Sequence, residues 1–191
     1  MRQETEKMIS EFLIVIFFYF ISLIVSGSYR INNVLEILDS EIIKSAKLSG
    51  YASLITSSLF SSTVIIIIFF IAYFSIQIFN LKIDTKSLIE GLITSVYILI
   101  IFEIVRVVLA LFLFEDAVYK IVSSEGIIES LKNSEWYFYD DIIKILMILS
   151  TGIVFGIETI EKNKNYLDVI ILSIIIPLGF YISTINIFST I

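Results

Sequence analysis

The chain has 191 residues and a formal charge of −6, with 58% hydrophobic and 17% charged residues. Soluble domains of this size are nearer half apolar with about 25% charged residues, and a small domain is mostly surface, so the excess apolar side chain cannot be hidden from water. A soluble enzyme, a disordered chain and a disulfide scaffold are excluded, and the medium that fits a mean hydropathy of +0.97 is lipid.

In chain order, the first apolar run is Phe12–Tyr29, free of charge. With Arg2 and Lys7 before it and Ser26-Gly27-Ser28 after it, the run resembles a secretion signal. Glu4, Glu6 and Glu11 contradict the basic leader such a signal needs, so a retained membrane helix is expected. Residues 31–50 place Ile31, Val34, Leu35, Leu38, Ile42 and Ala46 at helical spacing, with Glu36, Asp39, Lys44 and Lys47 elsewhere. That pattern predicts an amphipathic connector helix lying on the membrane or against partner helices.

Four further spans follow: Tyr51–Phe79, Leu88–Phe114, Ile142–Ile157 and Tyr166–Ile191. A helix crosses the hydrocarbon core in about 20 apolar residues. Isoleucine-rich runs such as Val64–Ile68 show no alternation, so barrel strands are rejected in favour of helices. The expected fold is all-α, a polytopic bundle of five transmembrane helices forming one domain. The segment from Glu115 to Asp141 is strongly acidic and ends in Trp136-Tyr137-Phe138-Tyr139, an aromatic belt suited to the headgroup level. Lys and Arg divide evenly between the two sides, so orientation is not readable.

Glu103 and Arg106, three residues apart inside the third span, share one helix face with Ser95, Leu99 and Ala110. Charges there cost about 2.5–3.5 kcal/mol each on insertion scales, so the face should turn from lipid toward protein or water. It is either a pore or gate element or a structural ion pair. The second span carries Ser53, Thr56, Ser57, Ser58, Ser61, Ser62 and Thr63; Ser57 and Ser61 are candidates for a channel wall or for close helix packing. Gly152 and Gly156 form a GxxxG in the fourth span, a helix-packing motif within or between subunits, and Pro177 marks an expected kink in the fifth.

Catalytic chemistry finds no apparatus. The chain has no histidine and no cysteine, its aspartates lie in connectors or at span edges, and it has no Gly-rich phosphate loop. No enzyme activity, cofactor or metal is expected. The leading expectation is an oligomeric pore or ion-channel-like protein. A non-conducting scaffold or assembly partner is the alternative.

Phe69–Ile98 (FFIAYFSIQIFNLKIDTKSLIEGLITSVYI) is a span, a short polar hairpin with Lys82 and Lys86, and a new span. Trp136–Ile157 (WYFYDDIIKILMILSTGIVFGI) is followed by a basic turn and a last span. In these stretches the chain resembles the Yip1 family of multi-pass membrane proteins in its prokaryotic form. It lacks a proline after the 82–97 region that the family pattern has, and residues 1–50 match nothing in it. The resemblance implies five spans and the bacterial inner membrane. It also implies similarity to membrane effectors of antiviral defence, in which an oligomer conducts when a nucleotide or oligonucleotide signal changes. It supplies no catalytic residues. For such a signal, Arg30, Lys44 and Lys47, or Lys82 and Lys86, are the ligand-binding candidates. The expected partners are the lipid bilayer, further copies of the chain, and a regulatory oligonucleotide or partner protein.

Overall fold

The computed structural model describes residues 2–36, 40–122, 134–163 and 165–184. They form five helices: α1 (Arg2–Leu35), α2 (Ser40–Ile78), α3 (Thr85–Val122), α4 (Glu135–Ile160) and α5 (Tyr166–Thr184). No strand occurs among the described residues, so the fold is an all-α bundle. Among the described residues four helices are long and apolar enough to cross a membrane, Glu6–Leu35, Ile43–Ile78, Thr85–Val118 and Glu135–Ile160; of the expected fifth span the described apolar part is Tyr166–Tyr181, and residues 185–191 lie outside the described residues. The outer surface confirms the solvent. Phe17, Phe18, Phe70, Phe74, Phe112 and Ile153 all point away from the bundle, each at least half exposed. In water such a surface would drive aggregation; in lipid it costs nothing. The chain is an integral membrane protein.

The expected connector helix over 31–50 is not a separate element. Its first residues complete α1 as far as Leu35, and the segment from Ser40 onward is the opening of α2. The physical reason is that each part runs on from a span, and a helix that already satisfies its backbone gains by extending; Leu38 and Asp39 of the expected connector lie outside the described residues. Gly50 does not break α2, because it packs against Ile31 of α1. α4 likewise starts at Glu135 rather than at Ile142, with Ser134 as N-cap, its hydroxyl accepting the Tyr137 N–H at 3.2 Å.

The helices form a closed circuit, α1 against α3, α3 against α4, α4 against α5, α5 against α2 and α2 against α1, with little direct contact between α2 and α3. Ile65, Leu92, Leu99, Phe155, Leu172 and Ile176 are fully buried and fill the middle. A second, smaller apolar cluster joins Ala110, Phe114 and Trp136, with Tyr29 packed on it; the Phe114 and Trp136 rings meet edge-on at 4.7 Å. It ties the ends of α1 and α3 to the start of α4. Trp136 is therefore turned inward, whereas Phe138 and Tyr139 of the same aromatic run face outward.

Two devices fix the turns at the opposite end. Asp168 accepts the Lys82 backbone N–H at 2.6 Å and the Asn165 side-chain amide at 2.7 Å, pinning the α2–α3 turn to the start of α5. Asp84 caps α3 by accepting the Ser87 N–H at 2.7 Å and its hydroxyl at 2.9 Å.

Candidate functional site

α3 and α4 run antiparallel, and their shared face carries most of the polar chemistry in the bundle. At one end Arg106 of α3 is held on three sides. Its Nε donates to Asp140 Oδ1 at 2.8 Å, its Nη2 to Asp140 Oδ2 at 3.3 Å, and its Nη1 to Glu103 Oε1 at 2.5 Å. Lys144, one turn along α4, reaches Asp140 Oδ2 at 2.9 Å and Asp141 Oδ1 at 3.1 Å. Glu103 is 1% exposed and Asp140 2%, so both carboxylates have left solvent. Taking a charge out of water costs several kcal/mol, and only close, multiply bonded pairing offsets that. The forked geometry around Arg106 supplies it. Glu103, Asp140, Arg106 and Lys144 cancel in formal charge. Arg30 and Tyr19 of α1 lie within electrostatic reach of Glu103 and Arg106. Arg30 donates to the Ser26 carbonyl at 3.3 Å.

Along the same face the middle is hydroxyl-bonded. Ser95 donates to the Gly91 carbonyl at 2.9 Å and across to the Thr151 carbonyl at 3.1 Å, and Thr151 donates to the Ile148 carbonyl at 2.7 Å. Between this level and the Glu103 cluster lie the buried apolar side chains of Leu99 (1% exposed) and Met147 (2%), a one-residue-deep apolar plug. At the far end Lys162 pairs with Glu90 at 2.7 Å and with Glu158. Two charged clusters thus stand on the face of one helix pair, with hydroxyls and an apolar plug between them and the Phe114–Trp136 contact beyond the Arg106 cluster.

The Lys162 ammonium is held above the usual lysine value of 10.5 by its bonds to Glu158 and Glu90. Its attraction therefore stabilises the fold fully below pH 10.5 and is lost as pH rises through the raised value. The group is largely solvated, so the effect is small. Melting curves above pH 10.5 should show wild type converging on Lys162→Met, and parallel curves at every pH would refute this role for the pair.

The residues singled out from sequence divide as follows. Glu103 and Arg106 come together as a bonded pair inside one subunit. Ser57 is half-buried and donates to its own helix at Leu54, and Ser61 is half-buried, whereas Ser58 and Ser62 are the hydroxyls that face inward. Gly152 and Gly156 lie against Ser173 and Pro177 of α5, within the subunit. Lys44 and Lys47 are exposed near the α1 end that carries Arg30, and Lys82 and Lys86 are exposed at the opposite end. These five cations do not form one site. Of the acidic connector, Glu125 and Glu129 lie outside the described residues. Asp140 and Lys144 were missed as site residues from sequence, although their four-residue spacing at the head of an apolar run was a usable signal.

Among the described residues no set of three or more acidic side chains is arranged to hold a metal ion. No family model, curated protein or solved structure matches this chain.

Proposed function

We propose that the protein is an ion-conducting membrane protein that works as a symmetric homo-oligomer and is closed in the conformation described. One observation carries this reading: the α3–α4 face bears two charged clusters and, between the Arg106 cluster and the Ser95–Thr151 hydroxyls, a short apolar plug of Leu99 with Met147. Apolar constrictions between polar vestibules gate by excluding water, and they open when the plug is wetted or displaced. The bundle centre is filled by side chains, so a conducting path needs α3 and α4 to part or further copies to complete it. The absence of histidine and cysteine supports a non-enzymatic role.

The test is reconstitution in liposomes loaded with a cation-sensitive dye. Leu99→Ser with Met147→Ser should raise cation leak well above wild type while leaving the protein folded. A folded double variant as tight as empty liposomes would end the channel reading.

A scaffold without conduction is the second reading. It is favoured by the Glu103–Arg106–Asp140–Lys144 cluster closing on itself with no net charge inside one subunit. Overexpression separates the two, since a channel depolarises cells and a scaffold does not. A Yip1-like ancestry, the bacterial inner membrane and gating by an oligonucleotide belong to the same proposal. The first is supported only by Phe69–Ile98 and Trp136–Ile157, and the last by the exposed lysines named above, whose binding to an oligonucleotide would weaken steeply with salt.

A further inference from the structure

Glu103 stands midway along α3, one of the membrane-spanning helices, and is 1% exposed. An ionisable side chain at that depth is rare and costly, and ion paths and proton relays are where such groups are found. One of its oxygens accepts from Arg106; the other, Oε2, has no hydrogen-bond partner. A second unpartnered atom lies on the same seam beyond the plug: the Thr159 hydroxyl is buried, makes no bond and faces Gly91 of α3. Between these two positions stand the bonded hydroxyls of Ser95 and Thr151, then Leu99 and Met147.

This seam discriminates between protons and metal ions. A sodium or potassium ion crosses a protein by exchanging its hydration shell for rings of oxygens. Here the middle of the bundle is filled by apolar side chains, Ile65, Leu92, Phe155, Leu172 and Ile176 among them, all buried. A proton needs no such bore. It needs a group that takes it up and releases it, and a thread of water that brings it there. Ser95 and Glu103 are eight residues apart on α3, about 12 Å by helical rise, and a single file of about three waters spans that gap at about 2.8 Å per hydrogen bond.

The surroundings of Glu103 favour release. When a proton adds to Oε2 the carboxylate becomes neutral and its attraction for Arg106 falls away. Arg106 is not stranded, because Asp140 still accepts from its Nε and Nη2. The groups around Glu103 are then Arg30, Arg106 and Lys144 against Asp140 and the more exposed Asp141, with Tyr19 neutral, an excess of positive charge. That excess drives the proton from Oε2 to water on the other side, so the site is weak enough to be left, as conduction requires. No bond to carbon changes, and nothing is oxidised or reduced.

We propose that the ion carried along the α3–α4 seam is the proton, held at mid-membrane by Glu103 Oε2. This rests on the conducting reading above and narrows it to one ion. The experiment uses the full-length protein in liposomes that contain a pH-sensitive dye or, in parallel, a sodium-sensitive one, under an inside-negative potassium diffusion potential set with valinomycin. In Leu99→Ser with Met147→Ser, proton entry should rise well above that of empty liposomes, while sodium entry stays equal to theirs. Adding Glu103→Gln, whose amide accepts from Arg106 but carries no proton, should return proton entry to the empty-liposome level. Glu103→Asp in its place should restore part of it. Leu99→Ala alone provides the same comparison if the double change does not fold. Sodium moving with the protons would overturn the proton assignment and leave conduction standing. Proton entry that survives Glu103→Gln, or is lost equally in Glu103→Asp, would overturn the role of Glu103. Silence of both dyes in both opened variants would end the conducting reading, and this inference with it.

Discussion

Arg106→Leu should destabilise the protein by about 3–5 kcal/mol, the cost of leaving a buried ion pair with one partner removed. The guanidinium supplies two bonds to Asp140 and one to Glu103. Without it Asp140 retains Lys144, but Glu103, at 1% exposure, keeps no partner on either oxygen. Glu103 would then take up a proton or drag water into the bundle. Arg106→Lys should fall between, because an ammonium preserves the charge but cannot serve two carboxylates through a planar fork. The triple change Arg106→Leu, Glu103→Gln, Asp140→Asn should recover much of the loss, since neutral groups carry a smaller desolvation cost. Melting temperature and membrane abundance, measured together in mild detergent, give the answer. If Arg106→Leu melts with wild type, the cluster contributes nothing to the fold, and its burial has to be explained by conduction alone.

Much of the fold was legible because lipid imposes simple rules. Apolar length marks a span, and Val64–Ile68 can only be helix in a bilayer where the backbone must satisfy itself. The pairing of Glu103 with Arg106 was legible for the same reason, since three residues place them on one face. Their third partner was not. Drawing the fourth span from Ile142, directly after the Asp140-Asp141 pair, put Asp140 in a connector. The helix in fact begins at Glu135, because Ser134 caps it and the Trp136 indole buries against Phe114. Hydropathy reads side chains, whereas helix starts are set by backbone N–H groups seeking an acceptor. The connector over 31–50 failed for a related reason. Its periodicity was real, but it was divided between the tail of α1 and the head of α2, where Ile31 faces Gly50. A groove between α1 and α3, where Phe18 and Val25 of one approach Ile100 and Val107 of the other, had no sequence signature, for it exists only in the packed bundle.

The GxxxG motif yields the second large effect, and its two glycines should not behave alike. Pro177 has no N–H, so the carbonyl of Ser173 four residues earlier loses its intrahelical donor, and that carbonyl faces Gly152 of α4. A Cβ added at Gly152 would sit 2.5 Å from the Ser173 carbonyl oxygen and 2.3 Å from Pro177 Cγ, a backbone atom and a rigid ring that cannot step aside. Gly152→Ala should therefore push α4 and α5 apart and cost about 3 kcal/mol, the upper end of overpacking penalties. At Gly156 the nearest obstacle is the Ser173 hydroxyl at 2.8 Å, which rotates away once its bond to Val169 is given up, so Gly156→Ala should cost about 1 kcal/mol. Thermal unfolding of the two variants separates a motif packed within the subunit from one packed between copies. In the first case Gly152→Ala melts well below Gly156→Ala at unchanged oligomer size. In the second both leave the melting of the subunit alone and shift its assembly on size exclusion, and the contact between Gly152 and Pro177 would have to be given up as the reason the glycine is there.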